Sequence, residues 1–139
     1  MKKYYMSYFS VSFLVLCSIL IFYGCSSDNY EKKQLDNGEL YYDKNISGDK
    51  VESLSKYINQ CAIFNDEVHT ARLIKSDSTY ELSLSVPAEM INSDQYQNYA
   101  EILAMQLSDD VFDHSKVEIH LADSNFNTKV TKSSTQDKE

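Results

Sequence analysis

The sequence contains few of the residues from which common functional sites are built. Its 139 residues include three glycines, one proline, three cysteines and no tryptophan. The glycines stand at positions 24, 38 and 48, too far apart for the glycine-rich loops that bind phosphate groups. Cys-x-x-Cys and Gly-x-Ser-x-Gly motifs are absent, and the three histidines lack the spacing of paired metal ligands. The sequence therefore predicts no catalytic residue, no metal site and no cofactor.

Basic residues are also scarce. The chain has 13 lysines and arginines against 21 acidic residues, which gives a formal net charge of −8. Every acidic residue follows Cys25, so the chain beyond that residue is strongly anionic. Such a charge argues against nucleic acid and against the headgroups of anionic lipids as electrostatic partners.

The N-terminal segment has the pattern of an export signal. Lys2 and Lys3 are followed by no charged residue until Asp28, and apolar residues are densest over 11–23. A basic start, an apolar stretch and a small-residue cleavage site define a secretory signal peptide. We therefore predict that residues 1–24 are a signal peptide.

The end of that segment, IFYGC at residues 21–25, resembles the lipobox of bacterial lipoprotein precursors. The resemblance implies cleavage before Cys25 and a lipid anchor on its sulfur. The domain would then be exported and held at a bacterial membrane. The residue after Cys25 is Ser26 rather than aspartate, which favours the outer membrane where there are two. The alternative is an uncleaved transmembrane anchor, because residues 4–24 just reach the length that spans a bilayer.

The remainder of the chain alternates between two periodicities and predicts an α+β domain over residues 37–131, between a tether at 25–36 and a disordered tail at 132–139. The predicted elements are a strand at 39–46, a helix at 48–64, a hairpin at 68–86 with its turn at 75–79, a helix from Asn92 or Ser93 to about Val111, a strand at 116–123 and a short strand at 126–131. The order β-α-β-β-α-β is typical of a ferredoxin-like two-layer sandwich, with two helices on one face of an antiparallel sheet.

The third cysteine lies within the first predicted helix. Cys61 continues the spacing of Val51, Leu54 and Ile58, so we predict that it is a small buried side chain without a disulfide partner.

Three stretches of this domain are similar to a small, largely uncharacterised bacterial domain found in other exported or membrane-linked proteins. They are NGELYYDKNIS, FNDEVHTARL and LSDDVFDHSKVEIHLAD, spread over about residues 37–123. The resemblance implies the βαββαβ unit and brings no activity with it.

Alternation along the strands predicts one polar face of the sheet, opposite the helices. Acidic groups from separate strands would converge there and could bind a basic peptide or a divalent cation. The predicted face carries Glu39, Tyr41, Asp43, Glu81, Ser83, Ser85, Glu118 and His120.

One short motif suggests a modification. Asp77-Ser78-Thr79 matches a pattern for O-glycosylation of exported bacterial proteins, and it lies in the predicted hairpin turn. We therefore take Ser78 as a candidate site of glycosylation.

Three functions agree with these features. The first is a lipid-anchored envelope protein whose small domain binds an unidentified protein partner without catalysis. The second is an immunity or inhibitor protein that docks on a basic toxin or enzyme. The third, which the sequence favours least, is a metal-dependent enzyme that uses the acidic face.

Overall fold

The computed structural model describes residues 29–64 and 68–135. The predicted signal peptide, Cys25 and the last part of the predicted tail, residues 136–139, lie outside the described residues. Within the described ranges, none of the helices has the length and the apolar character needed to cross a membrane.

Six strands and three helices make up the described part of the chain. The strands are β1 (Tyr30–Leu35), β2 (Gly38–Asp43), β3 (Thr70–Ser76), β4 (Thr79–Ser85), β5 (Val117–Ala122) and β6 (Thr128–Ser133). The helices are α1 (Gly48–Gln60), α2 (Ala88–Ile91) and α3 (Asp94–Asp110). The short helix α2 was not predicted; its residues follow Pro87, where the hairpin was expected to end.

The strands form one mixed sheet in sequential order, β1-β2-β3-β4-β5-β6. Strands within each hairpin are antiparallel, whereas β2 pairs with β3 and β4 with β5 in parallel across the helical connections. The α+β class is therefore confirmed, but the fully antiparallel sheet is wrong. The ferredoxin-like order is also not the observed one, because each strand after a helical connection pairs directly with the strand before it. In a split βαβ unit another strand lies between those two.

Strand β1 corrects the prediction of a tether over residues 25–36. Tyr30–Leu35 pairs with β2 along its whole length, and Asp36-Asn37 forms the turn between the two strands. Only Leu35 of this strand is buried. The segment therefore lacks the apolar alternation that identifies a strand, and it pairs because β2 offers a free edge.

The opposite edge differs from its prediction as well. Strand β6 runs over Thr128–Ser133 rather than 126–131, so Lys132 and Ser133 belong to the sheet and not to a disordered tail. Each edge strand carries two lysines: Lys32 and Lys33 lie on β1, and Lys129 and Lys132 lie on β6. Charged side chains of this kind discourage pairing with a further strand.

The core lies between the helices and one face of the sheet. Leu40, Leu73, Leu82 and Ile119 are fully buried on four successive strands. They pack in one cluster with buried residues of both long helices, among them Leu54, Ile58, Leu103 and Leu107.

The first helix is shorter than predicted, and this changes the environment of Cys61. Helix α1 ends at Gln60, and the amide of Cys61 closes it by donating to the carbonyl of Tyr57 over 2.9 Å. Ala62 then adopts a left-handed conformation with φ of 48°. This turn carries Ile63 into the core and leaves Cys61 exposed, so the prediction of a buried cysteine is wrong.

The second long helix agrees more closely with its prediction. Ser93 stands at the N-cap position of α3 and Val111 at its C-cap. On this helix Ala100, Leu103 and Leu107 are buried, whereas Tyr99 remains 43% exposed.

Candidate functional site

The face of the sheet that turns away from the helices is called the open face here. Successive side chains of a strand point to opposite sides, so the residues between the core positions lie on it. The strand register aligns six of these residues in one row that crosses the sheet: Lys32, Tyr41, Arg72, Ser83, His120 and Thr131.

The other polar residues predicted for this face lie in the flanking rows. Glu81 and Glu118 are direct neighbours in the β4–β5 pairing, and Asp43 faces Tyr30 in the β1–β2 pairing. Glu39 lies in the flanking row on the other side of the central row, next to Thr70 of β3. The structure thus brings the predicted residues onto one surface.

Two of the four strand carboxylates on this face are paired with cations. Lys32 Nζ lies 2.9 Å from Glu39 Oε1, and the hydroxyl of Tyr41 donates to Glu39 Oε2 over 2.9 Å. Both bonds favour the ionised carboxylate, so they lower the pKa of Glu39. Lysines neutralise much of the face that the sequence alone presents as acidic.

Glu118 has the same kind of environment at the other side of the sheet. Lys116 Nζ lies 2.8 Å from its Oε1, and His120 Nε2 lies 3.4 Å from its Oε2. The hydrogen bond from Lys116 makes the largest contribution in lowering the pKa of Glu118. Asp43 instead accepts hydrogen bonds of 3.0 Å from the backbone and side chain of Asn45, which closes the turn after β2.

Metal binding gains no support from this geometry. Among residues 29–64 and 68–135, no three His, Cys, Asp or Glu side chains are close enough to one another to hold a metal ion. A cation at Glu81 and Glu118 would have two carboxylates, and Lys116 already neutralises one of them.

His120 and Ser83 are neighbours in the row but are not arranged for nucleophilic catalysis. Ser83 is only 1% exposed. His120 Nε2 lies near Glu118, and its Nδ1 lies 3.4 Å from the Thr128 hydroxyl. Both ring nitrogens therefore have other partners, whereas a serine nucleophile needs one of them as its base.

Arg72 occupies the centre of the row and was not among the predicted site residues. It is the only arginine in the chain. Its guanidinium carbon lies 4.7 Å from the ring centroid of Phe126 and 5.8 Å from that of Tyr30. Within the described part of the chain, its Nε is buried without a hydrogen-bond partner. The alternation along β3 could have placed Arg72 on the open face, because the side chain between the core residues Ala71 and Leu73 must point away from the core.

The loop between β5 and β6 positions Phe126. Asp123 Oδ1 accepts the backbone amides of Asn125 and Asn127 over 2.9 and 3.0 Å, and its Oδ2 accepts the Asn127 side chain over 3.0 Å. These bonds, led by that of the Asn127 side chain, lower the pKa of Asp123 to about 2. Phe126 itself has a φ of 59°, which is rare for an aromatic residue. A defined turn therefore holds the ring against Arg72.

Two cavities lie away from this row. A groove of about 640 Å³ at the end of β4 is lined by residues that include Pro87, Asn92 and Lys129. A more enclosed, apolar cavity of about 230 Å³ lies between the helices and the sheet and includes Met90 and Tyr96 in its lining. Neither lining includes Arg72 or His120.

The candidate glycosylation residue lies where the hairpin was predicted to turn. Asp77 adopts a left-handed conformation with φ of 53° between β3 and β4. Ser78 follows it and is exposed. The hydroxyl is thus accessible, and its modification stays a prediction.

Comparison with known proteins identifies a family without naming a ligand. No curated protein and no solved structure matches the chain. A family model does match, described as the AF_1994_N family N-terminal domain, and it covers residues 32–134, from β1 to the residue after β6. The match includes all six residues of the open-face row, and its description gives no activity. The chain therefore belongs to the AF_1994_N family.

Proposed function

We propose that this protein is a lipid-anchored component of a bacterial cell envelope and that its domain binds a partner protein without catalysis. The anchor would be Cys25, released as the new N-terminus by cleavage after Gly24. The sequence pattern of residues 1–25 supports this assignment. An uncleaved membrane-spanning helix over the same segment is the alternative, and either form exports the domain.

One observation carries the binding proposal. The centre of the open face combines an arginine with aromatic rings: Arg72, Tyr30, Tyr41 and Phe126. Arginine and aromatic residues are enriched among the side chains that dominate the energy of protein interfaces. On an ordinary solvated face they would not be expected to cluster.

The size of the face suits a protein better than a small ligand. Six strands spaced about 4.8 Å apart and about six residues long give a surface of roughly 24 by 20 Å. Its projected area is roughly 500 Å², a large part of the about 800 Å² that each partner buries in a standard interface. The two cavities described above lie elsewhere on the domain.

Photo-crosslinking in the native envelope tests this proposal. A benzophenone amino acid would replace Thr131 or Tyr41 in the open-face row, and exposed Lys56 on α1 serves as the matched control on the helical side. We expect one protein to be captured from both open-face positions and not from Lys56, and to bind the purified chain when reconstituted. Capture only from Lys56, or none from the open face, would exclude this surface as the binding site.

Mass spectrometry of the membrane-extracted protein tests the anchor separately. A chain that begins at Cys25 and carries acyl chains is expected. A chain that retains residues 1–24 would instead identify a membrane-spanning anchor. The same spectrum would reveal a glycan on Ser78.

The other two functions receive less support. An immunity or inhibitor protein that docks on a basic toxin would use the carboxylates of the open face, and two of these four, Glu39 and Glu118, already have lysine partners. A metal-dependent enzyme would need a ligand set, and the described residues contain no group of three candidate ligands.

A further inference from the structure

Arg72 has no anionic partner among the described residues of a strongly acidic chain. The chain has 21 acidic residues and a single arginine, yet no carboxylate of the described residues forms an ion pair with it. Its buried Nε donates to no acceptor in the same part of the chain.

Three carboxylates of the open face and of the β5–β6 loop are engaged elsewhere. Glu39 is bonded to Lys32 and Tyr41, and Glu118 is bonded to Lys116. Asp123 accepts hydrogen bonds from Asn125 and Asn127 within its own loop. These bonds hold the nearby acids in place, so the face keeps Arg72 available for an anion from outside.

The aromatic rings fix the orientation of the guanidinium. Phe126 comes from the β5–β6 loop and Tyr30 from the edge strand β1, so two distant segments converge on Arg72. The left-handed backbone conformation of Phe126 places its ring at this position. A guanidinium restrained by aromatic rings loses less freedom on binding than a mobile one.

We propose that Arg72 binds a carboxylate of the partner protein, with Tyr30 and Phe126 as the aromatic walls of that contact. This inference rests on the proposed function and adds the chemistry of the group that is recognised. The parallel N–H groups of the terminal guanidinium nitrogens match the two oxygens of a planar carboxylate. The lysine partners of Glu39 and Glu118 reduce the repulsion that the anion would otherwise meet.

The single arginine makes a direct test possible. In a ¹H–¹⁵N spectrum of the full chain in a zwitterionic detergent, the only arginine Nε–H signal belongs to Arg72. We expect sodium acetate to shift this signal in a saturable way, while sodium chloride at the same ionic strength and neutral acetamide leave it in place. No shift, or an equal shift with chloride, would overturn the proposal. Tighter saturation with inorganic phosphate would overturn the assignment to a carboxylate.

Variants distinguish the two-point hydrogen bonding of the guanidinium from the effect of its positive charge alone. Arg72→Lys keeps the charge but loses the parallel N–H groups, so acetate should bind about tenfold more weakly, as read from the backbone amides of Ser83 and His120. Phe126→Leu keeps the arginine signal and should also weaken binding. The matched control is Lys75→Gln, since Lys75 lies on the same strand over the ring of Tyr80. An unchanged affinity in Arg72→Lys would contradict the proposed geometry.

Failure of this inference is distinguishable from failure of the proposed function. If acetate leaves Arg72 unaffected while crosslinking from Thr131 still captures a partner, the face binds a protein but not through this carboxylate contact. If acetate binds and no partner is captured from the open face, the anion site stands and the protein-binding function fails.

Discussion

Replacement of Gly38 by alanine should destabilise the domain strongly, because the backbone at this residue passes close to the residue that precedes β3. A Cβ atom at Gly38 would lie 2.2 Å from the carbonyl oxygen of His69 and 2.6 Å from Cδ2 of Phe64. The neighbouring amide of Glu39 donates to that same carbonyl over 2.8 Å, at the start of the parallel β2–β3 pairing. A backbone carbonyl cannot rotate aside as a flexible side chain can, so the strands would have to separate.

The magnitude follows from two costs. Overpacking in a tight site costs about 1–3 kcal/mol, and losing the first hydrogen bond of the ladder adds about 1 kcal/mol. We expect a loss of about 2–4 kcal/mol in the free energy of unfolding, which lowers the Tm of a domain of this size by roughly 10–20 °C. Urea denaturation followed by circular dichroism measures the difference.

Gly48→Ala is the matched control, with the opposite sign. Gly48 is the first residue of α1, and a Cβ there would meet no atom within 4 Å. Alanine reduces the freedom of the unfolded chain, so the variant should be more stable by about 0.4–1 kcal/mol. Equal stability of the two variants, or a Gly38→Ala protein as stable as the wild type, would refute the close approach of β2 and β3.

Three further predictions concern single residues. The folded pKa of Asp123, about 2, lies below its ordinary value of 3.8, so its contribution to stability is complete above about pH 4 and is lost as the pH falls towards 2. The Asp123→Asn variant should therefore lose less unfolding free energy than the wild type as the pH falls from about 4 to about 2. An unchanged pH dependence of the unfolding free energy would contradict the loop geometry. The exposed thiol of Cys61 should react with a maleimide in the folded protein, and protection until denaturation would show that it is buried after all. Cys25→Ser should abolish acylation and release the protein from the membrane fraction; continued membrane attachment would favour the uncleaved anchor.

Much of the fold was predictable because periodicity reports which side of an element is buried. The alternation of Tyr80, Leu82 and Leu84 identifies β4, and the spacing of Leu103 and Leu107 identifies α3. The pattern does not report which strand lies beside which. Sequential and ferredoxin-like orders bury the same side chains on the same face, so the strand order had to come from the structure.

The errors at element ends have local causes. Strand β1 has only Leu35 buried, because an edge strand with lysines needs few apolar contacts once it pairs with β2. Cys61 continues the helical spacing, yet the chain leaves the helix one residue earlier and turns at Ala62. A helical stripe alone cannot reveal such a turn.

The candidate site was predictable in position but not in character. Alternation placed Glu39 and Glu118 on the open face, whereas their cations depend on pairings between residues that are not visible as a motif. Lys32 comes from a strand that was predicted to be a tether. Phe126 comes from a loop whose left-handed turn had no glycine to signal it.

The early start of β1 also limits how far the domain can stand from a lipid on Cys25. Only a few residues separate Cys25 from Tyr30, and five residues in the most extended form span at most about 18 Å. Tyr30 belongs to the open face and flanks Arg72. If Cys25 carries a lipid, the edge of the open face would lie close to the lipid headgroups, because the linker between Cys25 and β1 is short. A partner that contacts this edge would then lie near the same membrane.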